Sequence, residues 1–143
     1  MKNIFETSYE LVLEARKGYG AVTDDDKKIA VANYRKAQNN IKELGEFAQK
    51  IWRQYKDSRD YGNIYLDFHN IILDEEIKFL VDCMRENNVE YFTFSYSGSS
   101  KLKTVQLFQK NACALEGLIE INSCPTIFGR RKSDKTHAYL FRI

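Results

Sequence analysis

The feature that most constrains the fold is a change of hydrophobic period near Tyr61. Before it, apolar residues recur at the spacing of amphipathic helices, whereas after it short alternating segments typical of strands are separated by helical segments. The second part reads strand, helix, strand, helix, strand, strand. Strand–helix–strand units favour parallel pairing, and the last two strands fit an antiparallel hairpin. The sequence therefore predicts an α+β or small α/β fold, a two-layer or sandwich β-α-β-α-β-β unit with a mixed sheet, preceded by helices.

We divide the chain accordingly into a helical hairpin over residues 1–60 and a small α/β domain over residues 61–143. In the hairpin, Gly18 and Gly20 are expected to end the first helix. Thr23 is expected to cap the second helix, with Asp26 in the capping-box position three residues later.

The second helix is predicted to be a single long helix over residues 23–58. Its apolar side chains recur in alternating steps of four and three, the heptad spacing of a helix that packs against another helix. At about 1.5 Å per residue it would reach roughly 50 Å. Such a helix either lies across the α/β domain or presents part of its seam to a partner, including a second copy of the chain in a homodimer. The candidate seam residues are Tyr34, Ile41, Leu44, Ile51 and Tyr55.

Charge is distributed unevenly along the chain. The net charge of +2 is too small for a dedicated nucleic-acid-binding domain. However, residues 61–100 carry two basic and seven acidic side chains, whereas residues 101–143 carry eight basic and three acidic ones. No apolar run approaches the roughly 20 residues of a membrane span, and the first ten residues lack the layout of a signal peptide. We therefore expect a cytoplasmic protein with no membrane contact and a basic C-terminal third.

A small glycine-containing turn between a predicted strand and a predicted helix is a candidate anion-binding turn. Gly98 permits unusual backbone angles, the flanking serines offer hydroxyls, and Lys101 and Lys103 follow at the start of the helix. The turn matches neither of the glycine-rich phosphate-binding patterns. An ordinary helix cap is the alternative, with a serine hydroxyl bound to the free amides. The turn comprises Ser97, Gly98, Ser99 and Ser100.

The loop between the last two strands carries a second group of cations. In a sheet with parallel βαβ units, this loop and the turn at Gly98 can lie at the same carboxyl edge, where ligands usually bind. A solvated hairpin explains the cations of the loop equally well. We call the combined set the basic edge and define it as Lys101, Lys103, Arg130, Arg131, Lys132 and Lys135.

Few residues suit catalysis. Asp67 and His69 lie two positions apart on one face of a predicted strand, as a base and its orienting carboxylate would. Because Leu66 and Phe68 alternate with them, the same pattern fits a solvent-exposed face, and we assign no catalytic residue.

The three cysteines, Cys83, Cys113 and Cys124, are odd in number and widely spaced. They do not form a disulfide framework and are expected to be buried thiols. A metal site built from Cys113, Cys124 and His137 lacks a close pair of ligands. We therefore predict neither a metal nor a cofactor.

Several strings in roughly the last 80 residues, including FTFS, LEGLIEIN and AYLFRI, resemble small accessory proteins of plasmids, conjugative elements and phages of gut Firmicutes. The resemblance implies a shared fold and a mobile-element context. Accessory proteins of this kind include anti-CRISPR inhibitors, which occupy a surface of a nucleoprotein effector. We therefore expect a non-enzymatic inhibitor that binds a protein or nucleoprotein through the basic edge, with possible RNA or DNA contact. The alternatives are a small nucleic-acid-binding or regulatory module and a small nucleotide-binding protein or enzyme.

Overall fold

A computed structural model describes residues 2–20, 23–124 and 134–143. The chain forms two compact units, Met1–Trp52 and Arg53–Ile143. The elements of the described residues are, in order, the helices α1 (Ile4–Tyr19), α2 (Asp24–Lys42) and α3 (Glu46–Asp60), then β1 (Leu66–Phe68), α4 (Ile77–Glu86), β2 (Tyr91–Phe94), α5 (Lys101–Lys110), β3 (Ala114–Asn122) and β4 (Lys135–Arg142). This is the predicted small α+β architecture.

In the first unit, α1 and α2 pack against each other. Gly18 allows their close approach, since a Cβ there would lie 2.6 Å from the Cβ of Ala30. The predicted cap of the second helix is confirmed, because the Thr23 hydroxyl accepts a hydrogen bond from the Asp26 amide at 3.3 Å.

The prediction of one long helix over residues 23–58 is wrong. The chain leaves helical geometry after Lys42 and starts a new helix at Glu46. Gly45, with a φ of +98°, occupies a conformation that favours glycine and that no helix contains. Leu44 of the predicted seam lies in this turn and is 43% exposed, whereas Ile41, Ile51 and Tyr55 are buried. The continuous seam, which was expected either to lie across the α/β domain or to meet a partner such as a second copy of the chain, therefore does not exist.

In the second unit, the four strands form one mixed sheet with the order β1-β2-β4-β3. β1 pairs with β2 in parallel, and β4 pairs antiparallel with both β2 and β3. The predicted parallel pair of the first βαβ unit and the predicted antiparallel final pair are confirmed. The second βαβ unit was also predicted to pair in parallel, but β2 and β3 are not neighbours, because β4 lies between them.

One face of this sheet is covered by α5 through a cluster of aromatic rings. Phe92 stacks on Phe141 with ring centroids 5.1 Å apart, and Phe108 of α5 lies 4.9 Å from Phe92. Phe68 and Phe94 complete the cluster, and all five rings are fully buried. Among the described residues, no helix combines the length and apolarity needed to cross a membrane.

Candidate functional site at the carboxyl edge of the sheet

The carboxyl ends of three strands meet at one edge of the sheet. β4 is antiparallel to both β2 and β3, so β3 runs in the same direction as β2 and therefore as β1. The chain leaves these strands through His69, Ser95 and Ser123, with Cys124 following directly. In open α/β sheets this edge is where ligands usually bind.

Asp67 of β1 is the centre of a buried polar cluster at this edge. Its carboxylate is fully buried, on the sheet face opposite to the aromatic cluster. Oδ1 accepts a hydrogen bond from the Thr93 hydroxyl at 2.7 Å, and Oδ2 accepts one from the Ser95 hydroxyl at 2.6 Å. Burial raises the pKa of Asp67, because loss of hydration disfavours the charged form, although these two hydrogen bonds oppose the rise.

His69 lies beside Asp67 and is only 6% exposed. Its amide donates to Gln54 Oε1 of α3 at 3.0 Å. Its Nδ1 lies 3.1 Å from the carbonyl oxygen of Asp67 and 3.8 Å from Asp67 Oδ2, while Nε2 lies 3.7 Å from Asp57 Oδ2. The expectation that Asp67 and His69 occupy a solvent-exposed face is therefore wrong, because the second half of α3 covers that face.

Cys124 adds a thiol to the same cluster. Burial, reinforced by the negative charges of Asp67 and Asp57, raises its pKa to about 12. Asn63 holds the segment in place, since its Oδ1 accepts from the Asn122 amide at 2.8 Å and its Nδ2 donates to the Asn122 carbonyl at 2.9 Å. The same Nδ2 lies 3.8 Å from Cys124 Sγ. In this state the thiol is protonated and unsuited to nucleophilic attack.

Together, Asp67, His69 and Cys124 place one oxygen, one nitrogen and one sulfur ligand atom within 4.8 Å of one another. We call these three residues the polar cluster. It differs from the metal set considered from the sequence. Cys113 is buried elsewhere, with burial raising its pKa to about 11, and His137 is exposed on β4, so Cys124 is the one residue that the two sets share.

A pocket of about 190 Å³ adjoins the polar cluster. Its lining includes Thr93 and Asn63, the same side chains that contact Asp67 and Cys124. Ile119 and Ile121 of β3 contribute apolar surface to the pocket, and Lys135 contributes a cation.

In the candidate anion-binding turn, the side chain of Tyr96 packs against Gly98. A Cβ on Gly98 would lie 1.9 Å from the hydroxyl oxygen of Tyr96, so the glycine makes room for this ring. The alternative of an ordinary helix cap by Ser99 or Ser100 is wrong for Ser100, which precedes α5 but makes no capping hydrogen bond with its side chain. The geometry favours a packing role for Gly98.

This packing role predicts a coupled pair of substitutions. Gly98→Ala should lower the free energy of unfolding by about 1–2 kcal/mol, because the added methyl group displaces the Tyr96 ring. In a Tyr96→Ala background the same change should cost less than about 0.5 kcal/mol. Urea denaturation of the four chains measures the coupling. Equal costs in both backgrounds would show that the glycine is needed for another reason.

Each described cation of the basic edge contacts another side chain. Lys101 holds its ammonium 5.3 Å from the ring centroid of Tyr139 in β4, a cation–π contact. Lys103 forms an exposed ion pair with Asp74 at 2.5 Å. Lys135 begins β4 and donates a hydrogen bond to Asn122 Oδ1. Arg130, Arg131 and Lys132 lie outside the described residues.

A known protein family matches the chain. The model of a family described as "Domain of unknown function (DUF7698)" matches residues 50–143. The chain belongs to this family. The matched DUF7698 segment contains the whole sheet and every residue of the polar cluster, whereas α1 and α2 precede it. No curated protein and no solved structure matches the chain.

Proposed function

We propose that the chain is a non-enzymatic binding protein that docks through its basic edge onto a nucleoprotein effector and inhibits it, in the manner of an anti-CRISPR protein. The supporting observation is the contact of Lys101 with Tyr139. It joins Lys101 at the start of α5 to β4, the strand that begins at Lys135 and follows the other loop cations in the sequence.

The surroundings of this contact have the chemistry of a binding surface. Leu118 lies directly opposite Tyr139 on the neighbouring strand and is 61% exposed. His137, two residues from Tyr139 on the same strand, is also exposed. Aromatic and apolar groups beside unburied cations suit contact with a protein that carries phosphates or carboxylates.

The class of partner comes from the resemblance of the C-terminal residues to mobile-element accessory proteins, and the charge of the surface agrees with it. A nucleoprotein effector presents phosphates and a protein surface side by side. A basic edge that borders exposed Leu118 and half-buried Tyr139 can engage both at once, which a charged loop alone would not do.

The decisive experiment is co-elution of the purified chain with a panel of CRISPR effectors, together with a cleavage assay. Replacing Arg130, Arg131 and Lys132 by alanine should weaken binding by roughly 100-fold and reduce the slope of log affinity against log salt by about 2–3. The matched control replaces three exposed α2 lysines, Lys27, Lys28 and Lys36, by alanine and should leave binding unchanged.

Three other results would contradict the proposed function or its docking surface. If the chain binds none of the effectors, the proposed function is wrong. If it binds naked RNA or DNA as strongly as it binds any effector, the nucleic-acid-binding or regulatory module replaces it. Equal losses in the two triple variants would show that only net charge matters and that the basic edge is not the docking surface.

A further inference from the structure

The polar cluster is assembled at the carboxyl edge of the sheet from residues far apart in the sequence. Asp67 and His69 come from the end of β1, and Cys124 follows the end of β3. Asp67 is fully buried, and His69 and Cys124 are 6% and 4% exposed. Burying three such groups together is costly unless each polar atom has a partner. Carboxylate, imidazole and thiolate are also the ligands that zinc accepts in proteins.

The spacing of the ligand atoms is compatible with a single metal ion. In a tetrahedral zinc site with bonds of about 2.0–2.3 Å, neighbouring ligand atoms lie roughly 3.3–3.8 Å apart. His69 Nδ1 and Asp67 Oδ2 are already 3.8 Å apart. One nitrogen of His69, one carboxylate oxygen of Asp67 and the sulfur of Cys124 all lie within 4.8 Å of one another. A contraction of about 1 Å, within reach of side-chain rotation, would bring the atoms to bonding distances.

The groups around the cluster are those that orient metal ligands. The Thr93 and Ser95 hydroxyls hold the Asp67 carboxylate through hydrogen bonds. In the metal-free chain His69 Nδ1 donates to the Asp67 carbonyl oxygen at 3.1 Å. A metal on Nδ1 breaks this hydrogen bond and moves the ring hydrogen to Nε2, which faces Asp57 Oδ2 at 3.7 Å. Closed to hydrogen-bond distance, this pair would form the carboxylate–histidine–metal arrangement that fixes the ring and its tautomer. Asn63 Nδ2 faces the sulfur of Cys124.

We propose that Asp67, His69 and Cys124 bind one divalent transition-metal ion, with zinc as the best match, leaving the fourth position for a water molecule. On binding, the ion replaces the thiol proton of Cys124, which is released to solvent, and forms a bond to the thiolate sulfur. The ion ties the carboxyl end of β1 to the carboxyl end of β3. This site shares no residue with the basic edge, and its proposal does not depend on the proposed function.

The test uses the full chain without a histidine tag, freed of metal by a chelator and then titrated with zinc by calorimetry. We expect one zinc per chain. Cys124→Ser should weaken the affinity by at least about 100-fold, because it removes a ligand outright. The matched control is Cys113→Ser, a buried thiol outside the cluster, and it should bind zinc as the unsubstituted chain does. Circular dichroism of each variant checks that it is folded.

A second measurement needs no substitution and remains decisive if Cys124→Ser fails to fold. Cobalt bound to the unsubstituted chain should show the near-ultraviolet charge-transfer band of a thiolate ligand together with the visible bands of a tetrahedral site. Failure to bind zinc or cobalt overturns the proposal. Binding of cobalt without the thiolate band also overturns it, as does equal zinc affinity in a folded Cys124→Ser chain.

Discussion

Replacing Phe108 by alanine should lower the free energy of unfolding of the second unit by about 3–5 kcal/mol. The Phe108 ring is fully buried and lies 4.9 Å from Phe92 and 5.3 Å from Phe141, with Phe94 and Phe68 at 5.8 and 6.0 Å. Four of these rings belong to three hydrogen-bonded strands, whose backbones cannot move inward to fill the space. The substitution therefore leaves a cavity in addition to losing buried apolar surface.

Urea denaturation followed by circular dichroism measures this loss. The single tryptophan, Trp52, belongs to the first unit, so its fluorescence does not report directly on the second unit. The matched control is Phe79→Ala, the same chemical change at a side chain of α4 that is 52% exposed. We expect it to cost less than about 1 kcal/mol. Similar losses for the two variants would contradict the aromatic cluster as the main core of the sheet.

The element order of the second unit could be predicted because each segment carries a clear period. Phe92 and Phe94 alternate with Thr93, and a helical stripe ending at Phe108 follows them. Local alternation and the handedness of βαβ connections then determine most of the topology. The insertion of β4 between β2 and β3 was not predicted, because strand order within a sheet depends on packing between segments remote in sequence.

The long helix was mispredicted because a heptad pattern reports which side chains are apolar and not where the backbone turns. The pattern continues from Ile41 through Leu44 to Ile51, although Gly45 interrupts the helix. The apolar residues keep their spacing of four and three across the break, because the turn at residues 43–45 contains about as many residues as one helical turn. Gly45 was the sequence signal for this break in the helix, since a glycine within a helix costs roughly 1 kcal/mol relative to alanine.

The polar cluster was missed for a different reason. Alternation correctly placed Asp67 on the face opposite Leu66 and Phe68, but a polar residue on that face was taken to be exposed. One signal was available. In the parallel pair, Asp67 is in register with Thr93, so two polar residues adjoin on one face just before the carboxyl edge. Cys124 could not be assigned to the cluster, because its position depends on the long-range contact between Asn63 and Asn122.

Two substitutions at Asp67 should have opposite consequences in the metal-free chain. Asp67→Ala should lower the free energy of unfolding by about 3 kcal/mol, because it opens a cavity and leaves the Ser95 hydroxyl without its acceptor. The buried Thr93 hydroxyl keeps its longer contact with the Leu66 carbonyl oxygen at 3.3 Å and loses the shorter one to the carboxylate. Asp67→Asn preserves the shape and one acceptor oxygen, and both hydroxyls can rotate to suit the amide. It should be at least as stable as the unsubstituted chain at pH 7.

The expected stability of Asp67→Asn follows from the raised pKa of Asp67. Burial raises it above its ordinary value, so the folded chain holds the carboxyl proton to a higher pH than the unfolded chain does. The stability contributed by Asp67 is therefore complete below the pKa of the unfolded chain and is lost as pH rises through the folded-state pKa. The neighbouring Asp57, His69 and Cys124 are common to both chains, so the stability of Asp67→Asn relative to the unsubstituted chain should increase from about pH 4 upward.

Urea denaturation in chelator across this pH range measures both effects. The control is Asp82→Ala, a half-exposed side chain in a 4.0 Å ion pair with Arg85, and it should change stability by less than about 0.5 kcal/mol. If Asp67→Asn is as damaging as Asp67→Ala at every pH, the ionised carboxylate itself stabilises the fold and its pKa is not raised.

With zinc in place of the chelator, the unsubstituted chain should become more stable than Asp67→Asn. The reason is that a bound metal ion stabilises the charged carboxylate, whereas burial alone destabilises it. A carboxylate retained at a cost to the metal-free fold is what a binding site requires and what a purely structural hydrogen-bond network does not.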